Sequence, residues 1–236
     1  MTEENVFVVD SIAFEPNLEG LLKRLRIKEG SPYVAEVGKL IADAQALARP
    51  KAMYRLAYID SKTEDSVVIN GISFKSRVLR VNLDVAHRVF AYIATCGTEL
   101  DAWAHTMPDV LYEYWADAIK EAALYDAIQA LNHELATCYH LGRSSVMSPG
   151  SLADWPIREQ RPLFTLLGDP RSAIGVELTD SYLMIPNKSV SGIRFPSEEN
   201  FASCQLCPRE NCPGRRAPYD ETAYERKYAQ RAQKSA

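Results

Sequence analysis

The chain has 236 residues, enough to bury one sizeable core, or a core with an appendage. Its 47% hydrophobic and 25% charged residues are those of an ordinary globular protein, and a net charge of −4 argues against a nucleic-acid protein, which needs a dominant basic face. The longest apolar runs, such as residues 89–95, are far too short to cross a bilayer.

The start, Met1-Thr2-Glu3-Glu4-Asn5, is acidic and lacks the basic and apolar regions of a signal peptide, which points to the cytoplasm. Residues 6–9 form a short β-type run. Residues 32–48 read as a helix: Val34, Val37, Leu40, Ile41, Ala44 and Leu47 recur at three and four residues, Ser31 is placed to cap, Pro32 to start, and Pro50 ends it. Residues 53–59 alternate loosely, as a strand does. Val67-Val68-Ile69, Asn70-Gly71 and Ile72-Ser73-Phe74 spell a hairpin, because Asn-Gly accepts the positive φ angles of a tight turn.

Residues 89–95 read as a buried strand that Cys96-Gly97 breaks, and Thr98 or Asp109 can each open a helix. From Asp109 to about His140, the residues Leu111, Trp115, Ala118, Ala122, Tyr125, Ile128, Leu131, Leu135 and Cys138 make one continuous stripe. That is a long amphipathic helix, with His140 at its C-terminal end and Gly142 as C-cap. A short helix follows over 158–167, after Pro156. Residues 182–185 and 189–195 suit two strands joined by a tight Pro-Asn-Lys turn. After Pro196 the pattern loses its period, and residues 226–236 are basic, polar and expected to fray. Strands and helices mix without a βαβ rhythm, so the fold class is α+β: a mixed, largely antiparallel sheet with a long amphipathic helix and a small Cys-rich C-terminal appendage. The division implied is 1–201 for the main unit and 202–236 for the appendage and tail.

Three of the five cysteines, Cys204, Cys207 and Cys212, fall within nine positions. In a reducing compartment such a cluster suggests a metal centre rather than a disulfide framework. Three thiolates leave a zinc site or an iron-sulfur cluster one ligand short, and Cys96, Cys138, His140 or an exogenous group can complete it. Without metal, so polar a segment is expected to be disordered. Read alone, Cys96 and Cys138 are small buried hydrophobes. No Ser-His-Asp, HExxH, Walker or GxGxxG pattern occurs, so the chain carries no obvious acid-base or nucleotide-hydrolysing machinery.

Between these features runs an ordered series: Ser148-Pro149-Gly150, Asp154-Trp155, Ile174-Gly175-Val176-Glu177-Leu178-Thr179, and Pro186-Asn187-Lys188-Ser189-Val190-Ser191-Gly192. In this order the segments resemble the activation domain of cobalamin-dependent methionine synthase, the part that binds S-adenosylmethionine over a corrinoid. The likeness is best over 85–201. It implies a stand-alone accessory protein for reductive reactivation of a corrinoid-carrying methyltransferase, a component of methionine synthase (methyltransferase) activity, with cobalamin held by the partner and S-adenosylmethionine as methyl donor. An iron-sulfur electron-transfer module or a zinc-stabilised interaction module, with S-adenosylmethionine binding lost, is the alternative. The resemblance points to Arg143, Ser148, Pro149, Gly150, Ser151, Lys188, Ser189 and Ser191 as cofactor-binding, and no residue as catalytic. In the family an Arg before the Pro-Gly turn and a Tyr after it hold the carboxylate and adenosine. Here those positions carry Val146 and Ser151, so binding is expected to be weak.

Overall fold

The computed structural model describes residues 5–199, 201–212 and 214–229. Its strands are β1 (Val6–Val9), β2 (Lys51–Lys62), β3 (Ser66–Ile69), β4 (Ile72–Lys75), β5 (Arg88–Thr95), β6 (Ser144–Met147), β7 (Glu177–Leu178), β8 (Met184–Ile185) and β9 (Ser189–Pro196). Its α-helices are α1 (Leu18–Arg24), α2 (Tyr33–Leu47), α3 (Arg77–Asn82), α4 (Thr98–Ala104), α5 (Val110–Tyr139), α6 (Gln160–Leu167) and α7 (Pro170–Ile174). The class is α+β, as the sequence implies.

The main sheet runs β4-β3-β2-β5-β9-β6, with β1 also on β2, and every pair is antiparallel. β2 is long because it serves three partners. β5 lines one edge over residues 51–58, while β1 covers 52–55 of the other edge and β3 takes over from Ile59. A register shift between Ile59 and Ser61 marks that change of partner. The β3–β4 hairpin closes at Ile69–Ile72, with Asn70 at φ 45° and Gly71 at φ 78°, the two positive angles the Asn-Gly pair anticipates.

β5 is the centre: Val89 to Thr95 are all buried, since the sheet is covered on both faces. One face (Met53, Ala57, Ala91, Ile93, Ile193, Phe195) packs against α3, α6 and α7. The other (Ala52, Tyr54, Phe90, Tyr92, Ala94) packs against Ala127, Leu131 and Leu135 of α5. A third cluster joins α1, α2 and α4 to the first half of α5 through Val37, Ile41, Leu100, Trp115 and Ile119.

α5 differs from the predicted stripe. Its buried line runs Trp115, Ile119, Ala123, Ala127, Leu131, Leu135, one residue in every four, while Leu111, Tyr125 and Cys138 are exposed. Four residues exceed one 3.6-residue turn, so the line rotates about 40° per step. That rotation carries the buried face from the helical cluster to the sheet. Asp109 caps the helix, its Oδ1 accepting from Leu111 N at 2.9 Å and Tyr112 N at 3.1 Å. At the other end His140, not Gly142, is the C-cap and takes the left-handed conformation (φ 49°, ψ 40°).

Two further expectations need correction. Residues 182–185 and 189–195 are not paired with each other: β8 pairs with β7, and β9 inserts between β5 and β6. The segment after Pro196, expected to be an irregular appendage, folds back onto the main unit: Phe201 and Tyr228 (1% exposed) join the main core, and Tyr228 Oη donates to Asn82 Oδ1 at 3.1 Å. Of the expected frayed tail, 226–229 lie in a short π-helical turn and 230–236 fall outside the described residues.

Candidate functional site

Ser148-Pro149-Gly150 leaves the end of β6 as a tight turn, with Ser151 N–H donating to Ser148 O at 3.1 Å and Gly150 N–H to Trp155 O at 2.7 Å. Gly150 has φ +85°, and a Cβ there would sit 2.8 Å from Ile157 Cδ1. Gly192 in β9 matters as much: a Cβ would lie 2.6 Å from Met147 O, 2.9 Å from Ser148 Oγ and 3.1 Å from Tyr92 Cε1. Only a missing side chain lets β6, β9 and β5 close to this distance. Below the turn, Trp155 is fully buried with its ring edge-on to Phe74, and its Nε1 has no partner among the described residues. Asp154 accepts from Ser76 Oγ and from Val78 N–H at 2.9 Å, so it caps α3.

On the α5 face of this junction is a polar group that sequence reasoning missed. Arg194 stands opposite Val146 across the β6–β9 pair. Its guanidinium donates to Ser144 Oγ at 2.9 Å and Asn132 Oδ1 at 2.6 Å, while its buried Nε has no partner among the described residues. Among the described residues no carboxylate pairs with it, and burial lowers its pKa. Beside it Tyr92 is buried; that burial pushes its phenol up, while the charges of Arg194 and Arg216 and a bond to Ser148 pull it down. The only cue in the sequence is one arginine inside the apolar run of β9.

The residues the resemblance points to are spread over several surroundings. Ser148 and Pro149 belong to the junction just described, and Gly150 and Ser151 form its exposed rim. Arg143 is exposed at a cleft of about 1590 Å³ between the main sheet and the C-terminal segment. Lys188 is held by α5, 2.8 Å from Asp117 and 3.7 Å from Glu121. Ser189 Oγ donates to Pro186 O at 2.8 Å and lies 2.9 Å from Thr95 Oγ1. Ser191, 1% exposed, donates to Gln160 Oε1 of α6 at 2.7 Å, on the face opposite Arg194.

The expected three-thiolate metal centre is not assembled. Among the described residues no group of three or more His, Cys, Asp or Glu side chains is placed to hold a metal ion, and all five cysteines are free thiols. Arg215 organises the loop instead, its guanidinium donating to the carbonyls of Cys204 (3.2 Å), Cys207 (3.3 Å), Ala217 (3.3 Å) and Arg209. A cation surrounded by backbone oxygens does for this loop what a metal surrounded by sulfur does elsewhere. Of the candidate fourth ligands, Cys96 is buried as expected but Cys138 is exposed. The Arg216 N–H, 3.4 Å from Cys204 Sγ, holds that thiol below its ordinary pKa, whereas burial pushes Cys96 up to about 12.

An antiparallel main sheet covered by α5 on one face and by α3, α6 and α7 on the other, with a glycine-lined turn at its β6–β9 end, defines an α+β domain with a polar junction at that end. Residues 101–207 match the family described as vitamin B12 dependent methionine synthase, activation domain, and over this stretch the chain is similar to that domain. Among solved structures it is similar to the MetH reactivation domain bound to AdoHcy, with a TM-score of 0.62 and 16% identity over 84% of this chain and 81% of that one. At that identity the likeness is one of fold. No curated protein gives a match. No described helix is long and apolar enough to cross a membrane.

Proposed function

We propose that the chain is an accessory protein for the reductive reactivation of a corrinoid-dependent methyltransferase, binding S-adenosylmethionine at the Ser148-Pro149-Gly150 turn. The observation that carries this reading is the family match over 101–207 together with the turn that Gly150 and Gly192 bring against β5. A largely buried guanidinium with one orphaned nitrogen and no carboxylate partner among the described residues, Arg194, suits the amino-acid end of such a ligand. S-adenosylmethionine, when bound, supplies an electrophilic methyl group. The protein's own work is positional: Ser148 and Gly150 hold the ligand to the turn, Tyr92 Oη and Ser148 Oγ exclude water from its base, and Arg143 at the cleft mouth is free to meet a partner. The partner is a separate corrinoid-carrying methyltransferase, met through a small and partly polar interface because a reactivator must leave again. Residues 1–201 act as the activation-domain-like unit, and 202–236 are an appendage to it. The electron-transfer alternative has no gathered thiolates behind it among the described residues.

Two measurements test the proposal. Calorimetric titration should give a weak heat of binding with S-adenosylmethionine, since Val146 and Ser151 replace a charged and an aromatic contact. Loss of one charge-assisted hydrogen bond costs about 1.5–3 kcal/mol, or roughly ten- to a hundredfold in affinity. With a cobalt(II)-inactivated methyltransferase and a reductant, adding the protein and S-adenosylmethionine should restore turnover. No binding at millimolar ligand, or no recovery of activity, removes the proposal.

A further inference from the structure

Three partly exposed thiols, Cys204, Cys207 and Cys212, have no part in the site described above. Two of them are set side by side by a short 3-10 turn, Ser203–Leu206, closed by Cys207 N–H donating to Cys204 O at 3.3 Å. In a turn with three residues per revolution, side chains three apart eclipse. Ser203 is buried and Leu206 packs against the main core, so that pair takes the inner face, and Cys204 with Cys207 takes an outer one. At about 2 Å of rise per residue their Cα atoms are roughly 6 Å apart, inside the about 4.4–6.8 Å that a disulfide spans. The turn does not depend on the thiols for its shape. Gln205 pins it, with Ala202 N–H donating to its Oε1 at 3.2 Å and Asp220 N–H to its carbonyl at 2.9 Å. Arg215 joins the two ends by donating to the carbonyls of Cys204 (3.2 Å) and Cys207 (3.3 Å).

Cys204 is marked as the attacking sulfur. Arg216 N–H is directed at its Sγ from 3.4 Å, and a donor on sulfur favours the thiolate, the nucleophilic form. Cys96 and Cys138 have the opposite surroundings: Cys96 is fully buried, and Cys138, though exposed, donates to Glu134 Oε1 at 3.3 Å, which keeps its proton in place. We propose that Cys204 and Cys207 form a dithiol site that exchanges with small disulfides, Cys204 attacking and Cys207 resolving. The Cys204 thiolate attacks one sulfur of a disulfide RSSR, whose S–S bond breaks and releases RS⁻. Cys207 then gives up its proton and attacks the Cys204 sulfur, expelling the second RS⁻ and closing the Cys204–Cys207 bond. Two electrons pass from the pair to RSSR, and the two thiol protons end on two RSH. The second step is fast because the turn places both sulfurs before the reaction begins. The bond is accessible to solvent, so excess RSH reopens it. The exchange is independent of S-adenosylmethionine binding.

The test uses the full, reduced chain with glutathione disulfide as the probe, followed by acid quenching, alkylation of the remaining thiols and peptide mapping by mass. Wild type should pass through a glutathione adduct on Cys204 to a Cys204–Cys207 disulfide, while Cys96 and Cys138 stay as thiols. Cys207→Ser should stop at the adduct, which then accumulates on Cys204. Cys204→Ser should slow the overall reaction about tenfold or more, and Cys212→Ser should change nothing. In urea, where the turn is lost, the preference for Cys204 over Cys138 should disappear. A first adduct on Cys207 or Cys212, a bond that Cys212→Ser prevents, or a preference for Cys204 that survives in urea overturns the inference. Mapping of the wild-type chain decides alone where a variant does not fold.

Discussion

Lys120 is the most deeply buried cation of the protein's ion pairs, with a side chain only 5% exposed, and it joins three parts of the chain. From the middle of α5 its Nζ donates to Asp101 Oδ1 of α4 at 3.0 Å and to Asn187 Oδ1 at 2.8 Å, in the turn that leads into β9. At 3.0 Å and an effective dielectric near 20 the attraction between the charges is about 5 kcal/mol. Desolvation of both ions offsets much of that, so the pair itself adds little net stability. Breaking it is another matter. Asp101→Ala leaves an ammonium buried with one neutral partner, which costs about 3–5 kcal/mol. In a chain of this size that is a fall of roughly 6–20 °C in Tm. Replacing both ends, with Lys120→Met and Asp101→Leu, should recover most of the loss, because no charge is then stranded. Urea denaturation of wild type, both single variants and the double variant checks this as a cycle. A loss below about 1 kcal/mol for Asp101→Ala would refute the reasoning, since the ammonium would then have found water.

Gly192→Ala should cost about 1–3 kcal/mol, because the nearest obstruction, Met147 O at 2.6 Å, is backbone and cannot swing aside. Ligand titration of that variant should also weaken as the Ser148 turn is pushed outward. Ser191→Ala should cost about 1–3 kcal/mol in urea denaturation by stranding Gln160 Oε1, yet leave ligand affinity unchanged; a selective loss of binding would return Ser191 to the site. Thiol mapping by alkylation should find Cys204 fastest below pH 8, since its lowered pKa gives more thiolate there. Cys96, with its thiol pushed up to about 12, should stay unmodified until the protein unfolds.

Where local chemistry decides the outcome, the sequence is a good guide. Asn70-Gly71 dictates the hairpin because few other pairs accept two positive φ angles, and Asp109 caps α5 because its side chain reaches two orphaned amides without help from the rest of the fold. Errors begin where two distant surfaces compete for one element. The apolar stripe of α5 was expected to be straight, yet the helix serves a helical cluster first and a sheet second, so its buried line must rotate and Tyr125 is left outside. His140 takes the left-handed cap that Gly142 was expected to provide, because the chain must turn at once to enter β6 at Ser144. The cysteine loop is a similar case. Spacing alone allows a metal, but it does not reveal that Arg215 will satisfy four of the loop's carbonyls.

The candidate site shows the same limit in its sharpest form. In β9 the residues alternate: Ser191, Ile193 and Phe195 face α6 and the main core, whereas Val190, Gly192 and Arg194 face α5. The motif that carries the family resemblance contains both sets, and a linear reading weights its serines because hydroxyls suggest ligand contact. The structure gives the Ser191 hydroxyl to Gln160 in the buried layer and leaves the opposite face with a glycine gap beside a cation that has no carboxylate partner among the described residues. A ligand seated on the Ser148 turn therefore meets Gly192 and Arg194 before it can meet Ser191.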